Sequence, residues 1–154
     1  PRHHAPHGLP KPGPNVKDRH ACHAWLEPDA EQPTDTGLPV VLAGDYNIVP
    51  APRDIYATRS YDDNALVQPE SRAYFAALLA QGWTDALRKA HPRETLYTFW
   101  DYRRNRWPRD AGLRLDHILL SKSLARKLKA AGIDRDVRGE DGASDHAPVW
   151  VELR

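Results

Sequence analysis

Asp45 and Asn47 in Gly44-Asp45-Tyr46-Asn47-Ile48-Val49-Pro50, and Asp145 and His146 in Ser144-Asp145-His146-Ala147-Pro148-Val149, are the residues whose types and spacing best suit chemistry. Each pair stands where an apolar run meets a turn, the place where a sheet presents polar groups to a ligand. In an extended segment residues two apart project to the same side, so a carboxylate and an amide could share one phosphate and one metal ion. Hydrolysis of a phosphodiester needs those groups: a hard cation, a positioned water and donors for the phosphate oxygens. His146 can hydrogen-bond a phosphate oxygen, and a partner carboxylate would fix its ring. The competing readings are structural. Asp and Asn are turn formers, and Ser144-Asp145-His146 could be a locally bonded turn.

A third carboxylate sharpens the choice. Asp116 interrupts the otherwise apolar Leu113-Arg114-Leu115-Asp116-His117-Ile118-Leu119-Leu120, and burying a carboxylate is costly without a partner. His117 points to the opposite face of a strand, so His146 is the expected partner. A bridge to Arg114, on the same face, is the alternative.

The elements that must hold these groups are legible in outline. Leu38 to Ala43 is a continuous apolar run of the kind that makes a fully buried strand. Residues 51 to 69 read as a long polar loop. Ser71 can cap a helix placing Tyr74, Phe75, Leu78 and Leu79 on one face, with Gly82 as the stop. A short helix follows Thr84, Tyr97 to Trp100 is strand-like, and residues 113 to 120 alternate as a strand. Ser121 or Ser123 is expected to open a further helix, with Leu124 and Leu128 inward and Gly132 closing it. Ala147 to Leu153 reads as a closing strand. The class is α+β.

The chain of 154 residues is long enough for one domain with its own core. Residues 1–36, rich in Pro and His and without helix or strand period, are expected to be irregular, leaving 37–154 as the ordered portion. His20, Cys22 and His23 cluster there with His3, His4 and His7, but a structural zinc site needs paired ligands from two arms. Adventitious binding or simple exposure is the expectation. With 22 basic and 21 acidic residues there is no strong overall field, so local clustering matters more. Arg103, Arg104, Arg106 and Arg109 are interleaved with Trp100, Tyr102 and Trp107. The single cysteine excludes an intrachain disulfide framework and fits a reducing compartment. No stretch has the length and apolarity of a membrane span, and the expected location is the cytoplasm.

Taken in order, Gly44 to Pro50, Phe99-Trp100-Asp101-Tyr102-Arg103, Leu113 to Asp116 and Ser144 to Val149 resemble the exonuclease III and AP endonuclease branch of the endonuclease/exonuclease/phosphatase superfamily. The resemblance covers roughly Leu38 to Leu153. It implies part of a four-layer α/β sandwich of the DNase I-like type. The activity it implies is Mg²⁺- or Mn²⁺-dependent hydrolysis of double-stranded DNA at abasic sites and 3′ ends. By resemblance, Asp45, Asn47, Asp116 and His146 would be catalytic, with Asp45, Asn47, Asp145 and His146 at the metal. Trp100, Arg103, Arg104 and Arg106 would contact DNA, Trp100 filling the space of a missing base; core packing is the competing reading for one of Trp100 and Trp107. The Trp-Asp-Tyr-Arg loop argues against a phosphoinositide or sphingomyelin phosphodiesterase.

The family's early Asn, metal-binding Glu and phosphate-contacting Tyr have no counterpart before Asp45. The chain therefore looks like a C-terminal portion behind an unrelated or degenerate leader. Two consequences are expected: exposed apolar surface that invites self-association or a complementing N-terminal half, and weakened metal affinity. The alternative is an inactive fragment that only binds DNA or a partner.

Overall fold

The computed structural model describes residues 37–57 and 65–154; the expectations for residues 1–36 lie outside them. The apolar run before Asp45 forms strand β1 (Val41–Asp45), and the alternating segment after Arg114 forms β3 (Asp116–Leu120). Between them lie helix α1 (Pro69–Ala80), the two-residue strand β2 (Thr84–Asp85) and helix α2 (Ala86–Ala90). A single helical turn, α3 (Lys122–Ala125), leads into β4 (Leu128–Ile133), and β5 (Val149–Leu153) ends the fold.

Among the described residues the strands make two antiparallel sheets, one in the order β1-β3-β2 and one pairing β4 with β5. In the first, Val41 faces Leu120, Ala43 faces Ile118 and Asp45 faces Asp116. The two faces of β3 bury different partners. On one, Leu119 joins Tyr46, Ile48, Trp83 and the Phe75 and Leu78 of α1. On the other, Ile118 and Leu120 pack with Leu87, Ala131, Val149 and Val151, so the β4–β5 pair covers that side as a second layer. The layering is helix, sheet, sheet, as an α+β sandwich requires.

Several local expectations need correction. Gln68, not Ser71, is the N-cap of α1; Pro69 opens the helix and Ser71 is buried within it. The C-terminal stop is as expected, with Gly82 at φ +103°, a conformation natural only to glycine. The helix after Thr84 is capped by Asp85, whose carboxylate accepts from the Arg88 backbone N–H at 3.0 Å. The long helix expected to run on to Gly132 is one turn only, and Leu128 to Ile133 is a strand. Gly132 shows why. A Cβ there would lie 2.5 Å from the Trp150 ring, so glycine is what lets the Trp150 indole of β5 lie against β4. That partner is distant in sequence and invisible to local periodicity.

Nor is β1 fully buried. Val41 is 43% exposed and Leu38 58%, because among the described residues β1 has one neighbouring strand only. The apolar character of this run is thus matched by burial on one side alone. No described helix is long and apolar enough to cross a membrane.

Candidate active site

Asp45 ends β1 and Asp116 begins β3, directly opposite each other in the register. Backbone bonds at the ladder ends, Ser121 N–H to the Val40 carbonyl and Tyr46 N–H to the Leu115 carbonyl, set the alternation. Asp45 and Asp116 therefore form a non-hydrogen-bonded pair, the arrangement that brings side chains closest. Two carboxylates so placed repel and need a cation between or beside them.

His146 supplies it. Its Nδ1 lies 2.8 Å from Asp116 Oδ2, an ion pair when the ring is protonated. Burial works against the charged ring. The hydrogen bond to Asp116 and the negative field of Asp116, Asp45 and Asp145 outweigh it, so the pKa is raised. The expected Asp116–His146 pairing is present, and Arg114 is engaged elsewhere.

The segment from Thr98 to Trp100 hangs His146 in place. Phe99 exchanges backbone bonds with Leu113 on one side, at 2.9 Å each, and bridges to His146 on the other. Ala147 N–H donates to the Thr98 carbonyl and Trp100 N–H to the Asp145 carbonyl, both at 2.8 Å. The Thr98 hydroxyl accepts the backbone N–H groups of Leu115 and Asp116 at 2.9 and 3.0 Å. One short segment thus ties the start of β3 to the approach to β5.

Asn47 completes the centre. Its backbone N–H donates to Asp45 Oδ1 at 2.8 Å and its amide Nδ2 to Oδ2 at 2.9 Å. Its φ of +53° is the left-handed conformation that Asn tolerates better than most residues. The turn reading of Asp45-Tyr46-Asn47 is therefore met, and the turn aims the two expected site groups at each other.

The expected metal set is brought together less completely. Among the described residues no group of three His, Cys, Asp or Glu side chains could hold a metal ion, so Asp45, Asn47, Asp145 and His146 are not a preformed cage. The donor chemistry still suits a hard cation. Mg²⁺ is commonly held by one or two carboxylates with water completing its shell, and Asp45 and Asp145 are the oxygen ligands that could serve.

The loop expected to touch DNA divides in two. Trp100 is 1% exposed: its indole N–H donates to Asp110 at 3.0 Å, and its ring meets Trp107 edge-on at 5.0 Å. Arg138 caps its carbonyl from two nitrogens, at 3.2 and 2.9 Å. Trp100 is a packing residue, which corrects its expected place against a missing base, and Arg106 is buried too. Arg103 and Arg104 are exposed, Arg103 forking onto Asp101 at 2.7 Å and holding that carboxyl below its usual pKa. The aromatic that does face solvent is Tyr102, 63% exposed. It is pinned by its hydroxyl to the Ala143 carbonyl at 2.7 Å, with the Arg138 guanidinium 4.6 Å from its ring centre. The aromatic-rich composition pointed to this stretch without telling which ring is outside.

Sequence reasoning also missed a buried charge network beneath the site. Arg114 donates to Asp54 at 2.9 and 3.1 Å and to Asp85 at 2.7 Å, all three side chains being buried. Arg88 adds a second cation to Asp54. Desolvation opposes the charge on Arg114, yet the two carboxylates raise its pKa. Asp85 as a helix cap was a readable signal; its pairing with Arg114 was not.

A sequence profile described as the endonuclease/exonuclease/phosphatase family matches residues 4–146. The chain belongs to that family. The match begins well upstream of Leu38, so the likeness of this endonuclease/exonuclease/phosphatase chain reaches into the leader, which favours a degenerate leader over an unrelated one. Exodeoxyribonuclease III of Haemophilus influenzae is 34% identical over 142 residues, covering 86% of this chain and 52% of that protein. A 3′ phosphatase from Neisseria, solved with a product DNA hairpin, superposes with a TM-score of 0.87 at 35% identity over 92% of this chain and 55% of its own. An AP endonuclease from Archaeoglobus fulgidus gives a TM-score of 0.78 at 29% identity, covering 89% of this chain and 55% of that one. The chain thus spans about half the length of these relatives. Its architecture is that of the DNase I-like endonuclease/exonuclease/phosphatase fold, and the family generally uses divalent metal ions.

Proposed function

We propose that this chain carries the catalytic portion of an exodeoxyribonuclease III-like DNA repair nuclease, hydrolysing DNA phosphodiesters at abasic sites and 3′ ends with Mg²⁺ or Mn²⁺. The observation that carries this reading is the juxtaposition, across adjacent strands, of the Asp45–Asn47 pair with the Asp116–His146 pair.

The divalent ion would neutralise charge developing on the phosphate. Asp116 fixes the His146 ring through Nδ1, which turns Nε2 away from Asp116 and toward a phosphate oxygen. With its pKa raised, that ring is suited to carry a proton and to meet an anion. Asp45, oriented through both oxygens by Asn47, is placed to take a proton from the attacking water. Arg103 and Arg104 serve as phosphate contacts, and Tyr102 takes the stacking role expected of Trp100. With a single cysteine and no membrane-spanning helix among the described residues, the cytoplasm is the location we assign.

A second element of the proposal follows from β1. Its exposed apolar residues, and its having one neighbouring strand among the described residues, suit the docking of complementing polypeptide, whether an N-terminal half or another copy. The alternative, a non-catalytic fragment that only binds DNA or such a partner, differs in one observable. Incubation with a duplex carrying one abasic-site analogue, with Mg²⁺ or a chelator, should give metal-dependent incision that Asp45→Ala abolishes. A folded chain that binds the duplex and never cuts it would support the alternative.

A further inference from the structure

His117 shares β3 with Asp116 but faces the opposite way, wholly buried. Nothing about phosphodiester cleavage calls for a histidine there, and an aliphatic side chain would serve a core as well. Its two nitrogens are nevertheless both engaged. Nε2 lies 3.0 Å from the Ile48 carbonyl and Nδ1 lies 3.2 Å from the Arg114 guanidinium. Arginine has only donors to offer and a carbonyl only accepts, so the ring must carry its proton on Nε2 and leave Nδ1 bare. Both contacts are then satisfied by the neutral ring, and by one tautomer only.

Ile48 follows Asn47 directly. The Asp45 carboxylate grips that turn from one end, through the Asn47 backbone N–H and side-chain amide. His117 grips it from the other. The ring also meets Tyr46 edge-on at 5.5 Å, so with the bond to Ile48 both neighbours of Asn47 are touched, and it packs on Phe75 at 4.6 Å. On its far side Arg114 is anchored by Asp54 and Asp85. A continuous hydrogen-bonded path therefore runs from the buried ion network, through His117, to a left-handed turn that nothing in its own backbone conformation favours.

We propose that His117 is a positioning residue which, through the Ile48 carbonyl, holds the Asp45–Asn47 turn in its working geometry. The word working rests on the nuclease reading above; the mechanical claim does not. The role is distinct from filling space, because a phenyl ring of similar volume would leave the Ile48 carbonyl and an Arg114 N–H without their partner.

Amide hydrogen exchange in the full chain tests this without requiring activity. His117→Phe keeps the volume and removes both bonds; His117→Gln can keep a donor to Ile48. In His117→Phe the Asn47 amide should exchange about tenfold faster, the equivalent of one lost neutral hydrogen bond, while the amides of Leu119 and Leu120 stay within about twofold. His117→Gln should recover most of the protection at Asn47. Unchanged protection at Asn47, or equal loss along all of β3, would overturn the proposal by reducing His117 to a core residue. If the phenylalanine variant does not fold, His117→Asn, too short to reach Ile48, takes its place against His117→Gln, with the same outcomes decisive. Incision measured in parallel separates the two readings. An exchange effect in a chain that never cuts DNA would sink the nuclease reading and leave the positioning claim standing. In an active chain, kcat should fall for His117→Phe with KM for DNA unchanged, and a rise in KM alone would count against it.

Discussion

Two charged clusters lie a few residues apart in this fold and are built on opposite principles. At the rim, Asp45, Asp116 and Asp145 surround one histidine, half-buried and with negative charge in excess. Beneath it, Asp54 and Asp85 are buried and answered by Arg114 and Arg88. The lower cluster is closed: each of its carboxylates has a guanidinium. The upper one is open to solvent, with three carboxylates around one imidazole and net negative charge. Residue types alone do not separate a site from a scaffold. The balance of charge against burial does.

The comparison makes opposite demands on mutation. The largest effect is expected at the rim and in chemistry: Asp116→Asn or His146→Ala should slow incision by about 10²–10⁴-fold while shifting the urea midpoint little. A large loss of stability with catalysis intact would reverse the assignment of the two clusters. Next comes Arg114→Met in the lower cluster, which takes the guanidinium from buried Asp85 and leaves Asp54 with Arg88 alone, and should cost about 3–5 kcal/mol of folding stability in urea titrations. An Arg114→Met chain as stable as the parent would mean the network is not holding the fold.

Acid offers a graded version of the same test. Burial, with Arg114 nearby, pushes the His117 pKa down to about 4. Between an unfolded value of about 6.5 and that figure, only the unfolded chain takes up the proton, so stability falls as pH falls through the window. The part due to His117 should reach about 3 kcal/mol at the acid end and vanish in His117→Gln, as read from urea midpoints at pH 7 and pH 4.5. An equal acid sensitivity in both chains would place the loss elsewhere. The smallest effect belongs to Tyr102→Ala, which should weaken DNA binding by about 1–3 kcal/mol through lost stacking and leave stability alone. Trp100→Ala should do the reverse, costing about 3–5 kcal/mol of stability.

These contrasts follow how legible each part was. Asp45, Asn47, Asp116 and His146 could be singled out because polar groups stood out against apolar runs, and because strand period assigns faces. The period also put His117 opposite Asp116 and thereby pointed to His146. The lower cluster was hidden since Asp54 and Asp85 meet Arg114 across long sequence separations, one from a polar loop and one from a helix cap. Leu124 and Leu128 have helical spacing, and only the packing of Trp150 on Gly132 decides for a strand. Trp100 was misplaced for a related reason: whether an indole is inside or outside depends on partners such as Asp110 and Arg138 that only the fold assembles.

The central claim is that Asp116 serves the reaction by holding His146, so that the rim works as one unit. A double-mutant cycle under single-turnover conditions measures this directly, with Asp116→Asn, His146→Ala and the pair incubated with Mg²⁺ and an abasic duplex. The double variant should cut no more slowly than His146→Ala alone. Losses that multiply, or an Asp116→Asn chain that cuts at the parental rate, would contradict the account.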